Sequence, residues 1–187
     1  MVKNMVRWFV GSIAFSSFVM ANTHNVDLGF QDELLLLDVG TQFERQDVKL
    51  SLQYYDKNDK GYLASASLLK THDMNIHHVE LGIRPLKLWS DNSEESGHAI
   101  SIGGLYSLHL THEVAFSLSG FYAPTVLSYR DLEGFSQADA RINYEAIPDF
   151  IVYTGYSWIQ FDYENDNNQS YEQKYAENIF VGVSFKF

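Results

Sequence analysis

The chain has 187 residues, a net charge of −11 and no cysteine. Without cysteine, neither disulfide bonds nor thiolate chemistry can contribute, and an acidic surface repels phosphates, which excludes nucleic acid as a partner. Aromatic residues make up 15% of the chain and proline contributes only three residues, a composition that favours β-strands over helices or disorder.

The amino-terminal segment is typical of a secretory signal. Lys3 and Arg7 give it a positive start, a 13-residue run over 8–20 is largely apolar, and small Ala21 ends a cleavage site. A spanning helix needs roughly 20 apolar residues, so this run is too short, although an uncleaved anchor stays an alternative.

We therefore expect export and cleavage after Ala21, which divides the chain into a signal peptide over 1–21 and one domain over 22–187. The removed segment carries two cations and no acid, so the net charge falls from −11 to −13 on cleavage. No later stretch approaches the length of a spanning helix, which excludes a membrane protein built from several helices.

Alternation with a period of two dominates the rest of the chain and predicts ten strands. Residues 136–146, within the predicted strand 135–146, are the clearest case, because small or apolar side chains at even positions alternate with polar ones at odd positions, and a helix would mix the two sets. The first connection, Asp32-Glu33, is so short that eight strands with an irregular start stay an alternative. The predicted strands are 25–31, 34–43, 47–56, 61–70, 75–88, 97–109, 113–125, 135–146, 150–162 and 175–187.

Alternation alone does not distinguish a membrane barrel from a soluble one, so the connections between strands decide. Counting back from Phe187, longer polar connections alternate with shorter turns, which is the arrangement of outer-membrane barrels. The predicted fold is therefore an all-β, antiparallel transmembrane β-barrel in the outer membrane. The longer, outer connections are 57–60, 89–96, 126–134 and 163–174, and the shorter, periplasmic ones lie near 44–46, 71–74, 110–112 and 147–149.

Aromatic residues gather near both predicted membrane boundaries, as expected for amphipathic rings at the level of the lipid headgroups. The alternative is that they are ordinary strand residues of a soluble sandwich. The predicted outer girdle comprises Tyr54, Tyr62, Trp89, Tyr129, Phe135, Phe161 and Tyr175, and the inner one comprises Phe43, Phe150, Phe185 and Phe187.

The last strand has the pattern of a strand that closes a barrel. Phe180 departs from it, since an aromatic ring stands on the row that should face the lumen. Gly182, Phe185 and Phe187 form the predicted signal that the barrel-assembly machinery reads. The side chains expected to face lipid are Ile179, Val181, Val183, Phe185 and Phe187, and those expected to face the lumen are Asn178, Gly182, Ser184 and Lys186.

Four short motifs carry a resemblance to a known family. They are Gly120-Phe-Tyr-Ala-Pro124, Ala138-Asp-Ala-Arg-Ile-Asn-Tyr144, Gly155-Tyr156, and Val181-Gly-Val183 followed by Phe187. On these motifs the chain resembles the YfaZ family of outer-membrane proteins over about residues 113–187, while the first six strands match it only in general pattern. The resemblance implies a porin-like outer-membrane barrel and carries no established activity.

Charged residues stand on the rows predicted to face the lumen, four acids and four bases. The interior of a barrel of eight to ten strands is about wide enough for side chains to fill it, so opposite charges should pair across it. The alternative is a charged constriction that selects solutes. The eight residues are Asp38, Lys49, Glu80, Arg84, Asp139, Arg141, Glu145 and Lys186.

Histidines cluster near two predicted periplasmic turns. His72 and Asp73 lie on one turn, and His109 and His112 lie on the next. Neighbouring turns could bring imidazoles together as a zinc or copper site, which makes His72, His109 and His112 candidate ligands. Polar turn residues without any ligand are the alternative that we favour, and we expect neither a metal nor a cofactor.

An enzyme of the outer membrane would need a nucleophile, a base and an acid within hydrogen-bond reach. His77, His98, Ser101 and Glu80 can be nominated, but His77 and Glu80 point to opposite faces of one strand, and no nucleophile motif surrounds a serine. We therefore expect no enzymatic activity.

The function that this sequence favours is that of a small, narrow porin-like or structural envelope protein with a salt-bridged polar lumen. A barrel hydrolase or lipid-modifying enzyme is one alternative, and an adhesion or binding protein that uses loops 90–96 and 163–174 is another. The expected partners are outer-membrane lipid, lipopolysaccharide and the barrel-assembly machinery, and the oligomeric state stays open.

Overall fold

A computed structural model describes residues 23–58, 60–90, 96–130, 132–164 and 170–187. The predicted signal peptide over 1–21 lies outside the described residues, as do 91–95 of the predicted outer connection 89–96 and 165–169 of the predicted outer connection 163–174. Across the described ranges, no helix is long and apolar enough to cross a membrane. Two three-residue 3₁₀ turns, Glu44–Gln46 and Thr125–Leu127, interrupt a structure made otherwise of strands and their connections.

Ten of the eleven strands pair into a closed antiparallel ring, because β1 pairs with β11 as well as with β2. The remaining strand, β8, is a short piece that pairs with the end of β6. The ring confirms the prediction of a ten-stranded barrel. The strands are β1 Thr23–Gln31, β2 Leu34–Phe43, β3 Val48–Lys57, β4 Gly61–Met74, β5 His77–Trp89, β6 Gly97–His109, β7 Val114–Ala123, β8 Ser128–Arg130, β9 Leu132–Ile147, β10 Phe150–Glu164 and β11 Ser170–Lys186.

The barrel has two rims, named here by what lies on them. At the terminal rim β1 begins and β11 ends, and Phe187 exchanges backbone hydrogen bonds with His24 at 2.9 and 3.0 Å, which extends the seam by one pair. At the loop rim lie the 32–33 connection and the strand ends Lys57, Gly61, Trp89, Gly97, Ala123, Leu132, Glu164 and Ser170. The two-residue connection at 32–33 does join two paired strands, with Gln31 opposite Leu34, so the eight-strand alternative is wrong.

Three connections were predicted in the wrong place, and one of them, 126–134, is mostly strand, because β8 covers Ser128–Arg130 and β9 begins at Leu132. Residues 71–74 continue β4, and the chain turns at 75–76, where Asn75 adopts a φ of 58°, a left-handed conformation that asparagine tolerates. The predicted outer loop 163–174 is mostly strand, because Tyr163 pairs with Tyr171 and Glu164 with Ser170. Polar side chains suggested a loop there, although strands that extend beyond lipid can be polar outside.

The faces of the strands follow the alternation in the half of the barrel nearest the terminal rim. On β9, Ile142 and Tyr144 are exposed outward while Asn143 is buried inward. On β11, Ile179, Val181 and Phe185 are exposed on the outside. The result is an apolar exterior around a polar interior, the organisation of a transmembrane barrel.

Candidate functional site: the barrel lumen

The polarity of the wall reverses along the barrel, and β10 shows this most clearly. At the middle of the strand its inward residue Ser157 is polar and lines the cavity, but closer to the loop rim Ile159, Phe161 and Tyr163 point inward and are each 0% exposed. The residues that alternate with them outward there, Gln160 and Asp162, are polar. On β10, the part nearest the loop rim therefore has a polar outer face and an apolar inner face.

A core of apolar side chains, which we call the plug, fills the lumen near the loop rim. Phe161 packs on Phe135 and Tyr175, with ring centroids 5.2 and 5.8 Å apart. These three rings were predicted to belong to the outer aromatic girdle, which is wrong because all three are buried inside the barrel. The plug comprises Leu34, Tyr55, Leu63, Leu86, Leu88, Ala99, Phe121, Ala123, Leu132, Phe135, Ile159, Phe161, Tyr163, Tyr175 and Ala176.

Tyr175 reaches the plug through an irregularity of β11. Ile159 pairs with Ala176 and Gln160 with Lys174, so Tyr175 is an extra residue, and such a bulge re-aims the side chain. The Tyr175 hydroxyl donates to the Gly61 carbonyl at 2.9 Å, on the far side of the short β1–β2 hairpin. The side chain thus fills the gap in the wall that this hairpin leaves.

Polar side chains span the lumen just below the plug. The Gln137 amide donates to the Tyr55 hydroxyl at 3.2 Å, joining β9 to β3, which lie on opposite sides of the ring. The buried Arg84 guanidinium donates to Gln137 Oε1 at 3.0 Å and to Ser67 Oγ at 2.9 Å, and lies 3.4 Å above the centroid of the Phe121 ring. These contacts close the lumen between the plug and the space beneath it.

A cavity of about 470 Å³ occupies the rest of the lumen. Its lining extends from Gln31 and Leu34, which flank the 32–33 connection, through Gln137 at mid-barrel to residues at the terminal rim, such as Asp73 and Lys186. The Asp73 side chain is 70% exposed, so the cavity communicates with solvent at that rim. It is therefore a polar cavity that is open to solvent at the terminal rim.

One wall of the cavity carries a chain of ion pairs. Lys49 Nζ lies 2.9 Å from Glu80 Oε1, and His78 Nε2 lies 2.9 Å from the same oxygen. The other ring nitrogen of His78 lies 2.5 Å from Asp73 Oδ1 at the rim. Each of the four side chains in this series of ion pairs therefore has at least one partner.

On the opposite part of the wall, the charged side chains have fewer or longer contacts with partners. Arg141 Nη1 reaches Asp27 Oδ2 only at 3.5 Å, and the Arg141 side chain is 28% exposed. Asp27 stands directly opposite Asp38 on the neighbouring strand, so two carboxylates face each other. Asp38 accepts a hydrogen bond from Gln53 at 2.6 Å, which leaves its second oxygen without a hydrogen-bond partner in the described part of the chain.

Seven of the eight charges predicted for the lumen line the cavity: Asp38, Lys49, Glu80, Arg84, Asp139, Arg141 and Lys186. The eighth, Glu145, instead accepts a hydrogen bond from the Asp149 amide in a terminal-rim turn. Asp38, Arg84 and Asp139 have neutral hydrogen-bonding neighbours and no ion pair among the described residues.

Three lumen residues were missed by the sequence reading: Asp27, Asp73 and His78. Asp27 could have been found, because Asn25, Asp27, Gly29 and Gln31 alternate with Val26, Leu28 and Phe30 along β1. His78 could also have been found, because it lies two residues before Glu80 on the same row of the predicted strand 75–88. Asp73 could not, because the turn was placed at 71–74. The apolar inward row of β10, Ile159 to Tyr163, also indicated a core inside the barrel, but its Phe161 was assigned to the outer aromatic girdle.

The candidate metal ligands do not converge. His72 lies on β4 next to inward-facing Thr71, so it points outward, whereas His109 lines the cavity and His112 lies in the turn after β6. In the described ranges, no group of three histidine, aspartate or glutamate side chains could hold a metal ion.

The candidate catalytic residues have other partners. His77 Nδ1 lies 2.7 Å from the Tyr106 hydroxyl, and His98 stacks on Tyr129 on the outer surface. Ser101 is buried and donates to the Arg84 carbonyl at 2.9 Å. These contacts do not assemble a serine, a histidine and an acid.

Several solved structures of outer-membrane proteins are similar to this chain. They include OccK1 (OpdK) of Pseudomonas aeruginosa, with 10% identity over 82% of this chain and 56% of that chain and a TM-score of 0.35. OccK5 (OpdH) of the same organism has 13% identity over 82% and 58%, with a TM-score of 0.33. A BenF-like porin of Pseudomonas fluorescens Pf-5 has 9% identity over 87% and 58%, with a TM-score of 0.32.

This chain thus spans less than two thirds of the length of those structures. Their similarity is too low to add to the fold, which rests on the strand pairing. No curated protein matches the chain significantly. A sequence profile described as YfaZ precursor, by contrast, matches residues 5–187, nearly the whole chain. The protein belongs to the YfaZ family.

Proposed function

We propose that this protein is a structural outer-membrane barrel without enzymatic activity that does not conduct solutes in its resting state. Its loop rim faces the outside of the cell and its terminal rim faces the periplasm. The observation that carries the proposal is the plug, whose rings at Phe161, Tyr163 and Tyr175 are each 0% exposed. A lumen filled in this way leaves no axial path for water.

The polar cavity supports the same orientation. It is open to solvent at the terminal rim, and the chain ends of an even-stranded barrel belong in the periplasm. A narrow porin is the second candidate, because the cavity carries charges of both signs that could select a solute. For it to conduct, the plug would have to move.

Planar-bilayer recording of the refolded barrel tests this proposal. We expect little steady conductance from the unmodified protein. The double variant Phe161→Ala/Tyr163→Ala should increase conductance because it removes two rings from the plug, while Tyr156→Ala, an exposed aromatic residue on the outward face of the same strand, should not. Large, stable, ohmic steps from the unmodified protein would contradict the proposal and favour the porin.

The proposal also includes export with removal of residues 1–21 and contact with lipid and lipopolysaccharide along the apolar exterior. Amino-terminal sequencing of protein from outer-membrane fractions should find Asn22 first. A full-length species in those fractions would contradict cleavage. Assembly by the barrel-assembly machinery is expected from Gly182, Phe185 and Phe187, and deletion of Phe187 should lower the yield of folded barrel.

A further inference from the structure

The outward face of β5 and β6 changes from apolar to basic near the loop rim. Toward the terminal rim, Ile83, Ile100 and Ile102 are exposed on this face. Closer to the loop rim, Lys87 and His98 are exposed on the same face and stand directly opposite each other on the two strands. In an outer-membrane barrel, the apolar outer band ends at the level of the lipid headgroups. Lys87 and His98 therefore lie at that level on this side of the barrel.

Two exposed aromatic rings accompany these side chains. Trp89 and Tyr129 are 39% and 47% exposed, as expected for amphipathic rings that lie among headgroups. Lys87 Nζ lies 4.7 Å from the centroid of the Trp89 ring, and the His98 ring stacks on Tyr129 with centroids 5.1 Å apart. The contact with Trp89 directs the Lys87 ammonium group toward the loop rim, because Trp89 is two residues nearer that rim. Neighbouring rings thus hold both basic side chains at the membrane boundary.

Arg130 brings a third basic side chain to the same place. It ends β8 and stands opposite Gly97, the residue before His98. Its backbone adopts a φ of 67°, which is uncommon for a residue other than glycine and interrupts the alternation after outward-facing Tyr129. Lys87, His98 and Arg130 consequently line one shallow groove, which we call the basic groove.

The basic groove has no acidic partner in the described part of the chain, where none of its three basic side chains forms an ion pair. Acids near the same rim lie elsewhere, since Asp162 stands opposite Glu172 on β10 and β11, and β11 lies across the ring from β5. The whole chain carries a net charge of −11, so this separation of basic from acidic side chains is local. Basic side chains at a membrane boundary attract anionic headgroups.

We propose that the basic groove binds a phosphate group of lipid A, the membrane anchor of lipopolysaccharide. Arg130 presents its planar fork to two phosphate oxygens, and Lys87 and His98 donate to the same group. The acyl chains pack on the apolar face below, at Ile100 and Ile102, which is why a lipid phosphate fits this groove better than a free one. The inference deepens the proposed contact with lipopolysaccharide and rests on the proposed function in requiring that the loop rim faces outside.

Native mass spectrometry of the refolded barrel in detergent tests the site with three probes. Lipid A carries phosphates and acyl chains, enzymatically dephosphorylated lipid A carries only the acyl chains, and inorganic phosphate carries only the charge. We expect lipid A to bind saturably and its dephosphorylated form to bind at least about tenfold more weakly, since the charge-assisted contacts are lost. Equal affinity for both lipids, or displacement of lipid A by an equal concentration of inorganic phosphate, would overturn the proposal.

Variants locate the binding site. Lys87→Gln/Arg130→Gln removes two cations from the basic groove and should weaken lipid A binding about tenfold or more. Lys174→Gln is the matched control, because Lys174 is an exposed lysine on β11, across the ring, where it forms an ion pair with Glu177. Heat-dependent gel mobility shows that each variant is folded. Equal affinity of the unmodified protein and the folded double variant for lipid A would overturn the site.

This test is separable from the tests of the proposed function. A barrel that conducts but still binds lipid A through Lys87 and Arg130 contradicts only the closed lumen. A barrel that does not conduct and binds both lipids equally contradicts only the phosphate site. Labelling of Lys174→Cys on intact cells by a membrane-impermeant maleimide tests the orientation, and absence of labelling would contradict an outward-facing loop rim and with it the access of the groove to lipid A.

Discussion

The two halves of β10 differ in the polarity of the residues that they present to the outside of the barrel and to the lumen. From its middle toward the terminal rim, β10 presents Val152 and Tyr156 to the outside and Ser157 to the lumen. Near the loop rim the same strand presents Gln160 and Asp162 to the outside and Phe161 to the lumen. The first arrangement suits lipid and the second suits water, so the point of reversal, between Trp158 and Gln160, marks where the membrane ends on this side.

The comparison also gives a physical reason for the proposed closure of the lumen near the loop rim. Where lipid contacts the outer face of the strand, polar residues face the lumen and line the cavity. Where the outside is water, the hydrophobic effect favours an apolar interior, and rings such as Phe161 and Tyr175 fill it. Closure of the lumen is thus a consequence of strands that continue beyond the membrane.

The largest effect should come from the plug. Ile159→Ala removes a fully buried side chain and should lower the free energy of unfolding by about 2–5 kcal/mol. Ile179→Ala is the matched control, because Ile179 faces lipid and is 66% exposed, so no internal cavity forms and the loss should be smaller. Urea unfolding of both variants in the same lipid or detergent measures the difference. Equal losses would contradict an apolar core inside the loop-rim half.

A charge placed on the outer surface should locate the membrane boundary. Val181→Lys puts a cation on the lipid-facing side of β11 and should cost about 2–4 kcal/mol if Val181 lies near the midplane. Asp162→Lys makes the same new residue on the outward face of β10 beyond the reversal, where about 0–1 kcal/mol is expected. Refolding into lipid vesicles with urea titration gives both values. A large cost at Asp162 would move the boundary toward the loop rim.

The glycine beneath Tyr153 should be sensitive to a single methyl group. A Cβ atom at Gly182 would overlap the Tyr153 ring and the Leu28 carbonyl, so Gly182→Ala should destabilise the barrel by about 1–3 kcal/mol through overpacking. At Gly120, a Cβ would meet only the Gln137 carbonyl at 3.8 Å. Gly120→Ala is therefore expected to be tolerated, and thermal unfolding followed on gels compares the two. Equal stability of both variants would show that the inner wall is loosely packed there.

The smallest effect is expected within the polar half. Arg141→Ala would cost 3–5 kcal/mol if its ion pair were fully buried, but its side chain is 28% exposed and its contact with Asp27 is 3.5 Å long. Solvent screens such a pair, so the expected loss is about 1 kcal/mol or less. Urea unfolding measures it, and a loss near the upper value would mean that the cavity excludes water.

The ten strands were predictable because period-two alternation survives wherever one face of a strand is polar. The short hairpin at Asp32-Glu33 was predicted correctly for the same reason. The plug was not, since the inward rings at Phe135 and Phe161 were assigned by their distance from the membrane boundary and not by their row. The direction of Tyr175 depends on a bulge, which strand alternation cannot reveal.

The lumen charges were predictable by row but not by partner. Lys49 and Glu80 do form an ion pair, yet Arg84 binds Gln137 and Ser67 and lies over Phe121. Which groups meet depends on the shear of the barrel and on side-chain reach across it, neither of which a single sequence encodes locally. The cavity follows from the same geometry.

The central claim is that the lumen is accessible to water up to mid-barrel and sealed beyond it. The chain has no cysteine, so single cysteines can report accessibility without background. Ser119 lines the cavity, and Ala123, on the same face of β7, is 0% exposed in the plug. In lipid nanodiscs, where both rims are accessible, a small water-soluble maleimide should label Ser119→Cys readily and leave Ala123→Cys unlabelled. Labelling of both cysteines at similar rates would contradict the sealed lumen.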